Sequence, residues 1–364
     1  MRNHFLKHIC EKRLTGVGYA VCINGEEKCR EILGFSDCVQ QRPLPSDAIF
    51  RLASMTKPIT AIAVMICKER GLLDLDTPIS TYIDFAHGGV GEVKDGETVF
   101  KESAREITLR DILTHSSGLG SGNVGSAQTK EKKQPEKLEK NVAWWKGKLL
   151  DFAPGSHAAY SGVVAFEVAA FVVEKVSGKP FDVFLKENIF EPLQMKDTCY
   201  ILNEEQASRL VEMPFPDNKG NIQKIDLGLR GFDSFALGYT GGSAGLFSTL
   251  DDYLALANML ASGGEWRGKR ILKEDSVREI SRAQFCVNEW FAWGLGVYTR
   301  MAKNEKQPLP VGSFGWSGAF GTHFWVDPSR KLAAVLMLNH GNCGGSDSPF
   351  SAEFEKLVEE ALWQ

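Results

Sequence analysis

The run Ile59-Thr60-Ala61-Ile62-Ala63-Val64-Met65-Ile66-Cys67 constrains the fold more than any other stretch of this chain. It is apolar nearly all round, so a helix built from it has no face suited to water and must lie inside the protein. Lys68 and Arg70 in its last turn, with Gly71 just beyond, mark its C-terminal end. Pro58 fits only in a first turn, where the N–H it lacks would have had no partner. The helix therefore starts near residue 54, within Arg51-Leu52-Ala53-Ser54-Met55-Thr56-Lys57. Ser54 and Lys57 are three residues apart and share one face of that start. A serine hydroxyl is a poor nucleophile at neutral pH unless a base lies within hydrogen-bond reach. The lysine supplies one, and the N–H groups at a helix start favour an alkoxide. The ordinary account of Ser-x-x-Lys is a capping serine with a solvated lysine; the buried setting is what separates this instance from it.

A buried helix needs partners on several sides, and 364 residues suffice for a large core in one or two domains. Residues Thr15 to Ser36 alternate apolar and polar around Asn24-Gly25, a strong hairpin signal. Strand patterns return at Trp293 to Arg300, at Phe314 to Val326 and at Lys331 to Leu338, followed by a helix from about Ala352 to Leu362. Between these ends the pattern is helices and polar loops. Thr108-Leu109-Arg110-Asp111 is a capping box, Val163 to Val176 closed by Gly178 is a second buried helix, and a helix capped at Ser248 or Thr249 ends near Gly263-Gly264. Gln128 to Asn141 is rich in Lys and Glu and reads as a solvated loop or helix face. Repeats and parallel βα alternation are both missing. The expectation is an α+β fold, an antiparallel sheet flanked by helices. Residues 1–75 together with 235–364 make the sheet domain, and 76–234 a mostly helical inserted domain.

Composition excludes several classes. A charged fraction of 24% with a net charge of −4 implies no strong attraction to nucleic acid or anionic membrane, and neither is expected as a partner. No apolar segment is long enough to span a bilayer, and Met1 to Leu14 lacks the apolar core of a signal peptide, so a cytoplasmic location is expected. The eight cysteines never fall at Cys-x-x-Cys spacing, which argues against a zinc site or redox motif. Cys22 and Cys29 flank the hairpin turn and are expected as free thiols. His4 and His8 share a helix face, but nothing near them in sequence completes a metal site, and a solvated terminal helix is the expectation. Neither metal nor organic cofactor is expected.

A Ser–Lys pair needs a second proton carrier, an oxyanion hole and a substrate wall. Tyr160, in the loop Pro154-Gly155-Ser156-His157-Ala158-Ala159-Tyr160-Ser161-Gly162 ahead of the second buried helix, is the candidate carrier. Gly315-Trp316-Ser317-Gly318-Ala319-Phe320-Gly321-Thr322 is the candidate wall, because glycines within a strand mark close approach of a ligand or another backbone.

In this order the three segments resemble the serine β-lactamase and penicillin-binding-protein superfamily, most of all class C β-lactamases and family VIII carboxylesterases. Ser54-x-x-Lys57 is similar to the first motif. Leu113-Thr114-His115-Ser116-Ser117-Gly118-Leu119 looks like a segment common between the first and second motifs. Tyr160-Ser161-Gly162 matches Tyr-x-Asn at its tyrosine, and Trp316-Ser317-Gly318 stands where that superfamily has Lys-Thr-Gly. The resemblance implies a β-lactamase/transpeptidase-like fold, an acyl-enzyme on Ser54, proton transfer shared by Lys57 and Tyr160, and an oxyanion hole from the N–H groups of Ser54 and Ala319. It puts Trp316, Ser317, Gly318 and Gly162 around the substrate, a small ester, amide or β-lactam; His323, which follows the oxyanion strand, is expected to line the site.

Two departures bear on specificity. Gly162 replaces an asparagine, and Trp316 replaces a lysine that in β-lactamases lies near the drug's carboxylate. An indole offers apolar surface and one donor without charge. A Trp-x-Gly is similar to the family VIII esterases, so neutral esters or amides with weak β-lactam turnover are expected. The alternatives are a true β-lactamase, a D-amino-acid peptidase, or a non-catalytic ligand-binding member of the fold. Gly241-Gly242-Ser243-Ala244-Gly245 also matches Gly-x-Ser-x-Gly, a rival nucleophile with His323 or His340, although no helix follows it directly. His115 and His157 are expected to be structural, and Asn339 and His340 to form part of the rim. Oligomeric state is not legible.

Overall fold

In the computed structural model the strands from the two ends of the chain form one sheet. The structure describes the chain apart from residues 12, 95–96, 103–104, 123, 125–136, 217–221, 225, 233–234, 304–307, 342–343, 346–347 and 364. The strands are β1 (Gly16–Ile23), β2 (Glu26–Gly34), β3 (Phe285–Cys286), β4 (Phe291–Trp293), β5 (Tyr298–Arg300), β6 (Phe314–Ser317), β7 (His323–Asp327) and β8 (Leu332–Met337). They lie side by side as β3-β4-β5-β6-β7-β8-β1-β2, each neighbouring pair antiparallel. Asn24 and Gly25, with φ of +52° and +76°, make the tight turn between β1 and β2 that the Asn-Gly pair predicts.

The hairpin differs from expectation in one respect: β1 is buried on both faces. The cause is a helix on each side. Val17, Tyr19 and Val21 join Phe5 of α1 (Arg2–Cys10) and Phe350, Phe354 and Val358 of α5 (Pro349–Trp363) in one core cluster. Ala20 and Cys22 join a second, larger cluster with Phe324, Val335 and Met337, covered by α4 (Leu250–Ala261), whose Tyr253 ring meets Phe324 at 5.1 Å. Cys22 and Cys29 consequently turn to opposite sides of the sheet, Cys29 standing across from Val21, and both are free thiols. Cys343 lies outside the described residues.

The apolar run opens as predicted. A single 3₁₀ turn at Ala53–Met55 leads into α2 (Thr56–Glu69), buried from Thr56 to Cys67 and packed on α3 (Val164–Ser177). Burying each of its large aliphatic side chains contributes roughly 1.5–3 kcal/mol relative to exposure. Two expected strands are hairpins instead. Trp293 to Arg300 folds back as β4 and β5, and Phe314 to Val326 divides into β6 and β7 around a turn at 318–322. The small hairpin Val90–Lys94 with Glu97–Lys101 falls where helices were expected. Of the charged stretch 128–141, residues 128–136 lie outside the description; Leu138–Trp145 is a helix that buries Leu138, Val142 and Trp145. Among the described residues no helix is long and apolar enough to cross a membrane.

Thr249 caps α4 by accepting from the Asp252 N–H. The buried Asp252 carboxyl accepts from the Asp197 N–H and the Thr198 hydroxyl, both at 2.8 Å, yet burial pushes its pKa up from 3.8 to about 6. A carboxyl raised on folding favours the fold while protonated. That contribution is whole below about pH 4 and is lost as pH rises through about 6. Asp252→Asn keeps the acceptor and removes the titration. Between pH 4 and 7 it is expected to gain up to about 3 kcal/mol over the parent, read from urea midpoints.

Candidate active site

The residue before Ser54 is strained. Ala53 is fully buried with φ of +46°, a left-handed conformation uncommon outside glycine that costs of order 1–3 kcal/mol. It turns the chain sharply from the short strand Phe50–Arg51 into the 3₁₀ turn that carries Ser54. The Ser54 hydroxyl lies 2.8 Å from the Tyr160 hydroxyl and 3.2 Å from Lys57 Nζ. Lys57 is wholly buried and donates also to the Gly162 carbonyl at 2.7 Å and the Ser243 carbonyl at 2.9 Å. Its three N–H positions thus have three acceptors, which fixes the amine over the serine.

The Tyr160 loop is held from His115. The Ala159 N–H donates to the His115 carbonyl (2.9 Å) and the Ser161 N–H to His115 Nδ1 (3.3 Å). Burial first, and the nearby Lys57 charge second, hold the His115 pKa well below its ordinary value, so the imidazole is neutral. Its ring stacks on Trp316 at 5.5 Å and 15° and also meets Tyr160 and Trp293. His115 therefore has the structural role expected of it. His157 is exposed, its ring edge-on to Phe152.

The turn after β6 faces Ser54 from the other side. The Thr322 hydroxyl donates to the Leu52 carbonyl at 3.2 Å. A Cβ on Gly318 would lie 2.4 Å from that same oxygen, so only glycine allows this approach. Ala319 sits in the turn rather than on a strand, exposed, and its N–H has no backbone acceptor among the described residues. Asn339 and His340 are not rim residues. The Asn339 amide is buried and bonds both the N–H and the carbonyl of Arg51, and His340 is buried with Nδ1 2.8 Å from the Gly341 carbonyl.

Ser243 is part of the support. Its hydroxyl and N–H both bond Glu167 Oε1, it is fully buried, and a Cβ on neighbouring Gly242 would strike the Phe166 carbonyl. The glycines at 241 and 242 serve packing against α3, and the bonds of Ser243 run to Glu167 and Lys57. Glu167 also accepts from Tyr239 at 2.6 Å, and burial raises its pKa despite those bonds and the Lys57 charge. Sequence reasoning passed over Glu167, although a lone carboxylate within the apolar stretch 163–173 was the available signal.

Ser54, Tyr160, Trp316, Ser317, Ala319 and His323 line one cavity of about 960 Å³, with Phe215, Phe291, Trp293 and Phe320. At its far end Ser317 Oγ is 2.8 Å from His323 Nδ1, and His323 Nε2 is 3.2 Å from Glu355 Oε1. Tyr298 and Arg300 close on the same carboxylate at 3.2 and 3.4 Å. Burial pushes the Glu355 pKa up, but His323 and Arg300 outweigh it, and the net shift is down. Arg300, Tyr298 and Glu355 come from β5 and α5, too far apart in sequence to be associated beforehand.

This arrangement has relatives. Esterase EstB of Burkholderia gladioli is 27% identical over 90% of this chain and 87% of its own. The D-alanyl-D-alanine-carboxypeptidase/endopeptidase AmpH of Escherichia coli K12 is 26% identical over 80% and 71%. The solved structure of EstCE1, a hydrolase with promiscuous acyltransferase activity, superposes with a TM-score of 0.80 over 97% of this chain and 96% of that one, at 22% identity. The Beta-lactamase family model matches residues 2–348. With its antiparallel sheet between helices, this chain belongs to the Beta-lactamase family, the superfamily of serine β-lactamases and penicillin-binding proteins.

Proposed function

We propose that the protein hydrolyses small neutral esters or amides through an acyl-enzyme on Ser54, with weak turnover of β-lactams. The observation that carries the specificity is the wall of the cavity. Where the superfamily pattern has a lysine, Trp316 lies buried against His115 and Trp293. The one cation among the described lining residues, Arg300, faces Glu355. A substrate carboxylate would find no unpaired positive charge there, whereas an uncharged acyl or aryl group finds aromatic surface. The name of esterase EstB agrees with an esterase, and that of AmpH keeps a D-amino-acid peptidase as the second reading.

In the proposed mechanism the Ser54 proton passes to the Lys57–Tyr160 pair as Oγ attacks the carbonyl carbon. The N–H groups of Ser54 and Ala319 hold the oxyanion. Tyr160 delivers the proton to the leaving oxygen or nitrogen, and the bond to it breaks. Water, giving a proton to the same pair, then releases the acid and regenerates the Ser54 hydroxyl. Ser317, 2.8 Å from His323 Nδ1, is the polar side chain offered to the substrate on this wall.

A panel of p-nitrophenyl esters, D-amino-acid amides and nitrocefin tests the reading. Esters are expected to have the highest kcat/KM, and cephalosporin hydrolysis much faster than ester hydrolysis would overturn it. Intact mass after exposure to an activated ester is expected to gain one acyl group. Absence of any adduct, with an activated ester or a β-lactam, would instead favour a ligand-binding member of the fold.

Gly162 offers a finer test. It is exposed, and a Cβ there would meet nothing within 4 Å, so Gly162→Asn is sterically free. An amide beside Lys57 and the substrate adds about one hydrogen bond, roughly 1 kcal/mol. The variant is expected to raise nitrocefin turnover relative to ester turnover by about 5-fold. An unchanged ratio would remove Gly162 from the account of specificity.

A further inference from the structure

The helices from the two ends of the chain, α1 and α5, lie together on the outer face of the sheet. Sequence alone offered only His4 and His8, one turn apart; the fold adds Glu353 from α5. His4 Nε2 lies 2.9 Å and His8 Nε2 3.0 Å from the same Glu353 oxygen, and the two nitrogens are 3.2 Å apart. The expectation of a solvated helix without a third ligand is thereby corrected. All three ligand atoms converge within a few ångströms of one point.

We propose that His4, His8 and Glu353 form a binding site for a divalent transition ion, zinc being the best match, which clips the first helix to the last. Three features carry this. The first is geometry. A cation about 2.0–2.1 Å from each atom of a triangle with sides 2.9, 3.0 and 3.2 Å sits roughly 1 Å above its plane. The ligand atoms then subtend roughly 90–105° at the metal, between octahedral and tetrahedral values, and the outer side stays open for water. The second is rigidity. His8 is buried with its ring edge-on to Phe350 at 5.1 Å, and Phe5, Phe350 and Phe354 pack in one core cluster, so the ligands are held before any ion arrives. The third is the donor set. Two imidazole nitrogens and one carboxylate oxygen are a mixed donor set that suits a borderline cation.

The site is distinct from the Ser54 cavity, none of whose lining residues belong to it. It also sets its own affinity. Among the described residues His8 Nδ1 is buried without a partner, so the outer hydrogen bond that tight zinc sites use is missing there, and binding in the micromolar range is expected. Cys10, exposed at the end of α1, is the competing ligand to test against.

Chelator-treated full-length protein is titrated with Zn²⁺ against a fluorescent indicator and, separately, with Co²⁺ followed by visible absorption. The expected result is one equivalent bound, at least 10-fold weaker in His4→Ala and in Glu353→Gln, and unchanged in Cys10→Ser. Cobalt bands are expected without a sulfur-to-metal charge-transfer band. Both ligand variants alter partly exposed side chains, and near-UV circular dichroism checks that they keep the native packing. Zinc is also expected to raise the melting temperature of the parent and not of either variant. No saturable binding, binding equal in parent and variants, or loss of binding in Cys10→Ser alone would each overturn the site.

Discussion

Ser54→Ala is expected to lower kcat/KM for a p-nitrophenyl ester by on the order of 10⁶-fold, the scale seen when a nucleophile is removed from an acyl-transfer site. The fold should survive, because among the described residues the Ser54 side chain bonds only Tyr160 and Lys57 and alanine suits the first turn of a helix. Labelling by a fluorophosphonate should vanish with it. Ser243→Ala is the informative contrast. It strips a buried hydrogen bond from Glu167 and should cost about 1–3 kcal/mol of stability, while the protein still labels. Loss of labelling in Ser243→Ala with retention in Ser54→Ala would reverse the assignment.

The second large effect is expected at Lys57. Lys57→Met matches the length of the stem and deletes the amine, and should reduce kcat by about 10³-fold or more. The Gly162 and Ser243 carbonyls lose their shared donor, a cost of about 1–3 kcal/mol each, partly offset because a polar amine is no longer held out of water. Activity loss from unfolding is separated by a double variant. Residues that act as one unit are not additive, so Ser54→Ala with Lys57→Met should fall little below Ser54→Ala alone. A product of the two separate effects would mean that Lys57 acts independently of the serine.

How much of this was legible beforehand follows from the range over which each feature is encoded. The buried helix and its Ser-x-x-Lys start were legible because period, proline position and capping act within about fifteen residues. So were the Asn24-Gly25 turn and the Thr108 box. The superfamily motifs named Tyr160 and the Trp316 segment, and the structure brings those residues to one cavity. What failed were features decided by tertiary contact. The second wet face expected of β1 is dry because α1 and α5 cover it. Phe314 to Val326 breaks at 318–322 because Gly318 must approach the Leu52 carbonyl. Glu167 and Glu355 were missed because a buried carboxylate is explained by its partners, and those partners stand 76 and 32 residues away at Ser243 and His323. Asn339 read as rim for the same reason; its partner is Arg51.

The place of β1 in the sheet has a consequence for synthesis. Its partner on one side, β2, follows at once, but its partner on the other is β8, and Gly18 pairs with Met337, 319 residues later (337 − 18). At roughly 5–20 residues per second the ribosome needs about 15–60 s to supply that strand. Throughout this interval an apolar hairpin waits with one edge unpaired and without α5 on the face it shares with α1, the condition under which nascent strands recruit chaperones or one another. The segment that follows β8 carries Gly341, Gly344, Gly345 and Glu355, which line the same cavity as Ser54. A chain truncated before β8 should therefore lack the closed sheet and the organised cavity together.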